Sequence, residues 1–185
     1  TYSNEELFDF EKRIKKLTDK NIEYVCELKF DGVSISLKYE NGVLIRALTR
    51  GDGIKGDNVI ENIKTIKSIP SKIFGNFPNL FEIRGEIFIS KSSFIELNHK
   101  REKEGKELFS NPRNTASGSI KILDVSEVAE RPLDCFLFSV LGKDLPSESH
   151  IENLEYAKSW GFNTSSYSKK FSLIEDVIKY IKELN

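Results

Sequence analysis

Lys29 lies two residues after Glu27 and two before Asp31, in the run Glu27-Leu28-Lys29-Phe30-Asp31-Gly32. In an extended chain residues two apart share a face, so Glu27, Lys29 and Asp31 project together while Leu28 and Phe30 face a core. An amine so placed can do covalent catalysis if it is partly neutral near pH 7. Its ordinary pKa is about 10.4, and burial or neighbouring cations must lower it. Flanking carboxylates act in the opposite sense, so a nucleophilic Lys29 needs cations from elsewhere. Arg50, Arg84, Arg113 and Lys121 occupy turn or strand positions from which they could converge on it. Without them the pattern is the commoner thing, a salt-bridge ladder on the surface of a hairpin.

Other groups can be weighed the same way. Gly51-Asp52-Gly53-Ile54-Lys55-Gly56 has the spacing of a dinucleotide-binding loop between a strand and a helix. Its context argues against that use: the strand before it belongs to a hairpin, and Asp52 and Asp57 put negative charge where a pyrophosphate would sit. A glycine-rich turn that aims Arg50 is the simpler meaning. Glu86 follows Gly85 inside a strand-like run, and a glycine there marks either a bulge or a close approach of a ligand or backbone. Phe136 and Phe138 read first as core, although one could offer a stacking face to a base. His99 and His150 have no partners at metal-ligand spacing, and no metal-binding residues are assigned.

The elements that would carry these groups can be read in order. Ser3 or Asn4 caps a helix to about Leu17, with Leu7, Phe10, Ile14 and Leu17 on one face. Runs from Ile22 to Phe30, Val33 to Tyr39 and Val43 to Thr49, joined at Asp31-Gly32 and Asn41-Gly42, predict a three-stranded antiparallel meander. Asp57 then caps a short helix carrying Val59, Ile60, Ile63 and Ile66 up to Pro70. Leu80 to Ile89 is a further strand. Ser90 or Ser92 opens a helix to Glu104, closed by Gly105. Asn111-Pro112-Arg113-Asn114 reads as a turn entering the small-residue stretch Thr115 to Ser119, which is poor in helix propensity. Leu133 to Leu141 reads as a central strand. Two amphipathic helices end the chain, Ile151 to Trp160 and one opened by the Ser172-x-x-Glu175 capping box.

The whole is an α+β pattern, antiparallel sheets with flanking helices. Its 185 residues are expected to form one domain, with a leading helix over 1–20, a nucleotide-binding core over 21–141 and a helical C-terminal part over 142–185. Lys and Arg number 28 against 29 Asp and Glu, so any nucleic-acid contact must be a local patch. Cys26 and Cys135 stand in apolar runs without metal-ligand spacing, which suggests free thiols in a reducing compartment, by default the cytoplasm. No run is long enough to span a membrane and the start has no signal pattern. The chain holds no methionine, which fits either removal of an initiator before Thr1 or a cut piece of a longer protein.

Taken together, the segments resemble a known family. Lys29-Phe30-Asp31-Gly32 looks like the K-x-D-G nucleophile motif of covalent nucleotidyltransferases. Glu27, the Thr49-Arg50-Gly51-Asp52-Gly53 loop, Arg84-Gly85-Glu86, and Asn111-Pro112-Arg113-Asn114 with Gly118-Ser119 resemble, in order and spacing, the adenylation domain of NAD-dependent bacterial DNA ligases. That resemblance runs over nearly the whole chain. It implies a fold of the DNA ligase/mRNA capping enzyme type, and a role in DNA replication and repair. It also implies a reaction in which Lys29 takes AMP from NAD, with Mg2+ assisting, for transfer to the 5′-phosphate of nicked double-stranded DNA.

Carried over by position, Lys29 and Asp31 are the catalytic residues. Glu27 accepts from the adenine amino group, Asp31 and Glu86 hold the ribose side and the metal-assisted geometry, and Arg50 and Arg113 contact the nucleotide. Phe138 stands where the family commonly has a stacking tyrosine, and Lys121 where it commonly has arginine; the first change loses a hydroxyl, the second bidentate phosphate geometry. The resemblance further implies a monomer, with no membrane partner, corresponding to the amino-terminal and central portion of the domain, cut at both ends. Such a piece is expected to seal no nick alone. A hydride-transferring dinucleotide enzyme and a non-catalytic nucleotide-binding module are the competing classes.

Overall fold

The computed structural model describes residues 3–51 and 55–184. The elements in chain order are helix α1 (Asn4–Lys15), strands β1 (Tyr24–Cys26), β2 (Val33–Glu40) and β3 (Val43–Thr49), and helix α2 (Ile60–Ile63). Strand β4 (Leu80–Phe88) follows, then helices α3 (Lys91–Lys103), α4 (Pro112–Ser119) and α5 (Val125–Ala129). Strand β5 (Asp134–Leu141), helix α6 (His150–Ser159), strand β6 (Lys169–Phe171) and helix α7 (Ile174–Leu184) complete the chain. They form two compact units, one from the described residues up to Leu28 with those from Ser166 on, the other Lys29–Ser165. No helix among the described residues is long and apolar enough to cross a membrane.

In the smaller unit a capping box starts α1: Glu6 N–H donates to Ser3 Oγ at 3.3 Å and Ser3 N–H to the Glu6 carboxylate at 3.0 Å. β1 and β6 pair antiparallel, Tyr24 opposite Phe171. Tyr24, Ile174 and Val177 form a small core with Leu7 and Phe8 against it. Of the predicted α1 stripe, Phe10 and Leu17 are exposed, so the packed side is centred one residue from the expected line.

The three-stranded meander is not what forms. β1 pairs with β6, for which the sequence offers no strong signal, and Glu27 to Asp31 has no ladder and is not a strand. Asp31-Gly32 is accordingly a junction into β2, not a hairpin turn. Glu27, Lys29 and Asp31 therefore do not form a ridge on one strand face.

The larger unit carries a four-stranded sheet in the order β3-β2-β4-β5, antiparallel throughout. The β2–β3 hairpin does form at Asn41-Gly42, both with positive φ (49° and 76°), the backbone that suits a two-residue turn between twisted strands. Period-two alternation puts Ile35, Leu37, Tyr39, Ile83, Ile87, Cys135 and Leu137 on a buried face, each at most 1% exposed. The opposite face carries Ser34, Ser36, Glu82, Arg84, Glu86, Phe136 and Phe138.

β5 is an edge strand, not the central one its apolar run suggested. Both its faces are apolar for a local reason: Phe136 stacks on Phe30 (centroids 4.3 Å) and Phe88 (5.2 Å) on the outer side while Cys135 and Leu137 face the core. Its edge is partly covered, because Leu137 N–H donates to Asn163 O at 2.8 Å and α6 packs alongside. At Gly85 both sequence readings hold. The β4–β5 register shifts between Arg84 and Gly85, and a Cβ there would stand 2.6 Å from Phe136 O.

α3 follows expectation, capped by Ser90. α2 is shorter than predicted and is preceded by Val59, so Asp57 is not its cap. The stretch from Pro112 to Ser119 is helical despite its propensity. Asn111 Oδ1 accepts the Asn114 N–H at 2.8 Å, proline opens the first turn, and the small buried Thr115, Ala116 and Ser119 let α4 close on β2 and β4.

Candidate functional site

One cleft of about 680 Å³ lies within the larger unit, and its lining begins with the non-strand segment Lys29 to Gly32. This segment lies hard against β4: a Cβ on Gly32 would fall 2.1 Å from Ile87 O, so only glycine fits. The approach lets Gly32 N–H donate to the Glu86 carboxylate. Glu86 reaches the cleft because it alternates with buried Gly85 and Ile87 on β4. Burial pushes its carboxyl above the usual range; the Gly32 hydrogen bond, Lys29 and Arg113 act against that, and Asp31 adds to it.

The cations arrive from two further elements. Arg50 leaves the end of β3, where the chain turns at Gly51. Arg113, in the first turn of α4, meets Asp31 at 3.0 Å in an ion pair exposed on both sides. Lys121, just past α4, meets Asp57 at 2.7 Å. Phe138 on β5 adds an aromatic wall, and Ser34, Asn114 and Ser117 add polar groups.

Lys29, Asp31, Arg50, Glu86, Arg113, Lys121 and Phe138 thus line one cleft. Glu27 does not join that lining and belongs to the other unit. Arg84 also stays out: it pairs with Glu82 at 2.8 Å and lines a neighbouring groove with Ser36 and Leu48. Of the loop after Thr49, Asp52, Gly53 and Ile54 lie outside the described residues. The two phenylalanines divide their roles, Phe136 joining the Phe30–Phe88 stack and Phe138 the cleft. Sequence reasoning passed over Ser34 and Ser117. Ser34 was legible, because Ser34-Ile35-Ser36-Leu37 alternates with period two and Ser34 lies opposite Glu86; Ser117 sits in a helix the sequence does not announce.

No cluster of three or more His, Cys, Asp or Glu that could hold a metal is found among the described residues. His99 is a helix-surface residue 3.6 Å from Glu102. The cleft does hold three cations and two carboxylates around an amine, beside an aromatic face. Such a set suits a phosphorylated ligand with a flat ring: phosphates on Arg and Lys, the ring against Phe138.

Comparison with known proteins agrees with this chemistry. The chain is 51% identical over 181 residues to a DNA ligase of Christiangramia forsetii, covering 98% of this chain and 27% of that protein. A DNA ligase of Flavobacterium psychrophilum is 52% identical over 182 residues, and one of Bacteroides fragilis 48%, with the same shares covered. The chain thus spans about a quarter of the length of the relatives it matches. The family model for the NAD-dependent DNA ligase adenylation domain matches residues 1–185. An amine, cations and an aromatic wall gathered in one cleft, on a chain matched end to end by that model, mean that this chain belongs to the NAD-dependent DNA ligase adenylation domain family.

Proposed function

We propose that Lys29 is the nucleophile that takes AMP from NAD. The observation that carries this reading is that Lys29 shares its cleft with Arg50, Arg113, Lys121 and Glu86. Lys29 Nζ attacks the α-phosphorus; an N–P bond forms as the P–O bond to nicotinamide mononucleotide breaks, the leaving phosphate keeps the electron pair and the amine proton passes to solvent. The cations stabilise charge on the phosphoryl oxygens, where preorganised donors matter most. Phe138 stacks on adenine, and Asp31 and Glu86 hold the ribose side.

A magnesium ion fits this cleft only in the way that ion is usually held, by phosphates and water with one or two carboxylates. Asp31 and Glu86 are the carboxylates present, and no larger protein cage exists among the described residues. They would hold the ion, which would neutralise phosphate charge.

In the second step a 5′-phosphate of nicked double-stranded DNA takes AMP from Lys29, and the amine is regenerated; the nick's hydroxyl then displaces AMP. We assign the chain to this reaction in replication and repair as a monomer, in the DNA ligase/mRNA capping enzyme-type architecture. Its free thiols, Cys26 and Cys135, support a reducing cytoplasm.

The test is intact-mass measurement after incubation with NAD and magnesium. A gain of one AMP on the wild-type chain, absent from Lys29→Arg, is expected; a gain retained by the variant would remove Lys29 from the role. Nicked DNA added to the chain alone is expected to stay open.

A further inference from the structure

Lys121 is held by one short segment at two points. Asn62 of α2, 9% exposed, donates both protons of its amide, to Ile120 O and Ile122 O, each at 2.8 Å. Those carbonyls flank Lys121, and Ile120 is fully buried, so the backbone at Lys121 is fixed from both sides. Five residues before Asn62, Asp57 takes the other end of the lysine through the 2.7 Å ion pair. Its own main chain is tied twice to buried Thr49: Thr49 N–H donates to Asp57 O and Asp57 N–H to Thr49 Oγ1, both at 3.0 Å.

The two partners share one space and only one of them reaches the other. Lys121 lines both the cleft that contains Lys29 and the adjoining groove, whereas Asp57 lines the groove and not the cleft. Their side chains are 49% and 58% exposed, and an ion pair so wetted holds weakly. A diphosphate in the cleft carries more charge than one carboxylate and competes well for the ammonium.

We propose that the segment from Asp57 to Asn62 is a holder for Lys121: Asn62 fixes its backbone at the cleft rim, and Asp57 keeps its ammonium until the phosphates of a bound nucleotide take it over. Asp57 and Asn62 are positioning residues; only Lys121 touches the ligand. The inference rests on the nucleotide-binding reading of the cleft.

Calorimetric titration of ADP into wild type, Asp57→Asn, Lys121→Ala and the double variant tests the exchange. Releasing Lys121 in Asp57→Asn tightens ADP binding about two- to fivefold, the scale of one exposed ion pair. In the Lys121→Ala background the same change is without effect. Lys121→Arg restores the gain. Asn62→Ala, where it folds, weakens ADP binding only while Lys121 is present. No tightening in Asp57→Asn overturns the holder, and so does equal tightening in both backgrounds, which is general repulsion of the anion by Asp57. AMP and ADP titrated into wild type separate the two levels. Binding without Asp57–Lys121 coupling sinks the holder alone, whereas no binding of either nucleotide sinks the nucleotide reading and the holder with it.

Discussion

The two faces of the four-stranded sheet come from alternate residues of the same strands and meet opposite demands. On β4, Ile83 and Ile87 are fully buried, while Glu82 and Glu86 beside them stay partly open and Arg84 is exposed. On β2, Ile35, Leu37 and Tyr39 are sealed beside half-open Ser34, Ser36 and Lys38. The inner face answers to volume, since close packing penalises any lost or added methylene. The outer face answers to charge and to the shape of a ligand, and its carboxylate at Glu86 persists because a backbone N–H and two cations face it. One backbone thus specifies fold and site together, and a one-residue slip of register would exchange them.

The sharpest way to separate the faces is to remove the proposed nucleophile. Lys29→Arg should abolish the AMP adduct in intact-mass spectra while the thermal midpoint stays at the wild-type value; a lowered midpoint would make Lys29 part of the fold. The inner face should behave in reverse. Ile83→Ala leaves a cavity and should lower unfolding free energy by about 2–5 kcal/mol in urea titrations, yet at temperatures where it is folded its nucleotide affinity should match wild type.

Phe138 lies between these extremes, on a core strand but facing the cleft. Phe138→Ala should weaken AMP binding by about 1–3 kcal/mol, the scale of one stacked base, with a smaller loss of stability. An unchanged affinity would return Phe138 to the packing role it first suggests.

The smallest effect is a pH dependence at Glu86. Its carboxyl is raised in the folded state, so protonation favours folding: that contribution is complete below the unfolded value of 4.5 and is lost as pH rises through the folded value. At pH 7 the burial cost is in force, and Glu86→Gln should therefore unfold at slightly higher urea than wild type. The difference should shrink as pH falls towards 4. The same variant should form adduct more slowly, a cleft residue kept against stability for its use. A gap that widened on acidification would reverse the assigned direction.

Much of this protein was legible in short windows. Ser3 and Glu6, Ser90, and Asn41-Gly42 specify their caps and turn from residues within four positions, because those signals are local hydrogen bonds and dihedral preferences. The candidate cleft was legible only in part: Lys29, Arg50, Arg113 and Lys121 carry charges visible in their type, whereas Phe138 reads first as core, and Glu27 and Arg84, offered with them, do not line it. What sequence could not decide was partner choice over long separations. β1 pairs with β6 across about 145 residues of chain instead of folding back on β2, Lys121 finds Asp57 across 64 positions, and α4 forms where propensity argues against it. Each depends on which surfaces are already in place when the chain arrives, a matter of packing and loop closure that no local window contains. The sequence by itself determined which charged and apolar groups are available and the alternation that sorts them by face; the tertiary structure alone decided that Lys29 sits on a junction pressed to β4, lining one cleft with Arg50, Arg113 and Lys121.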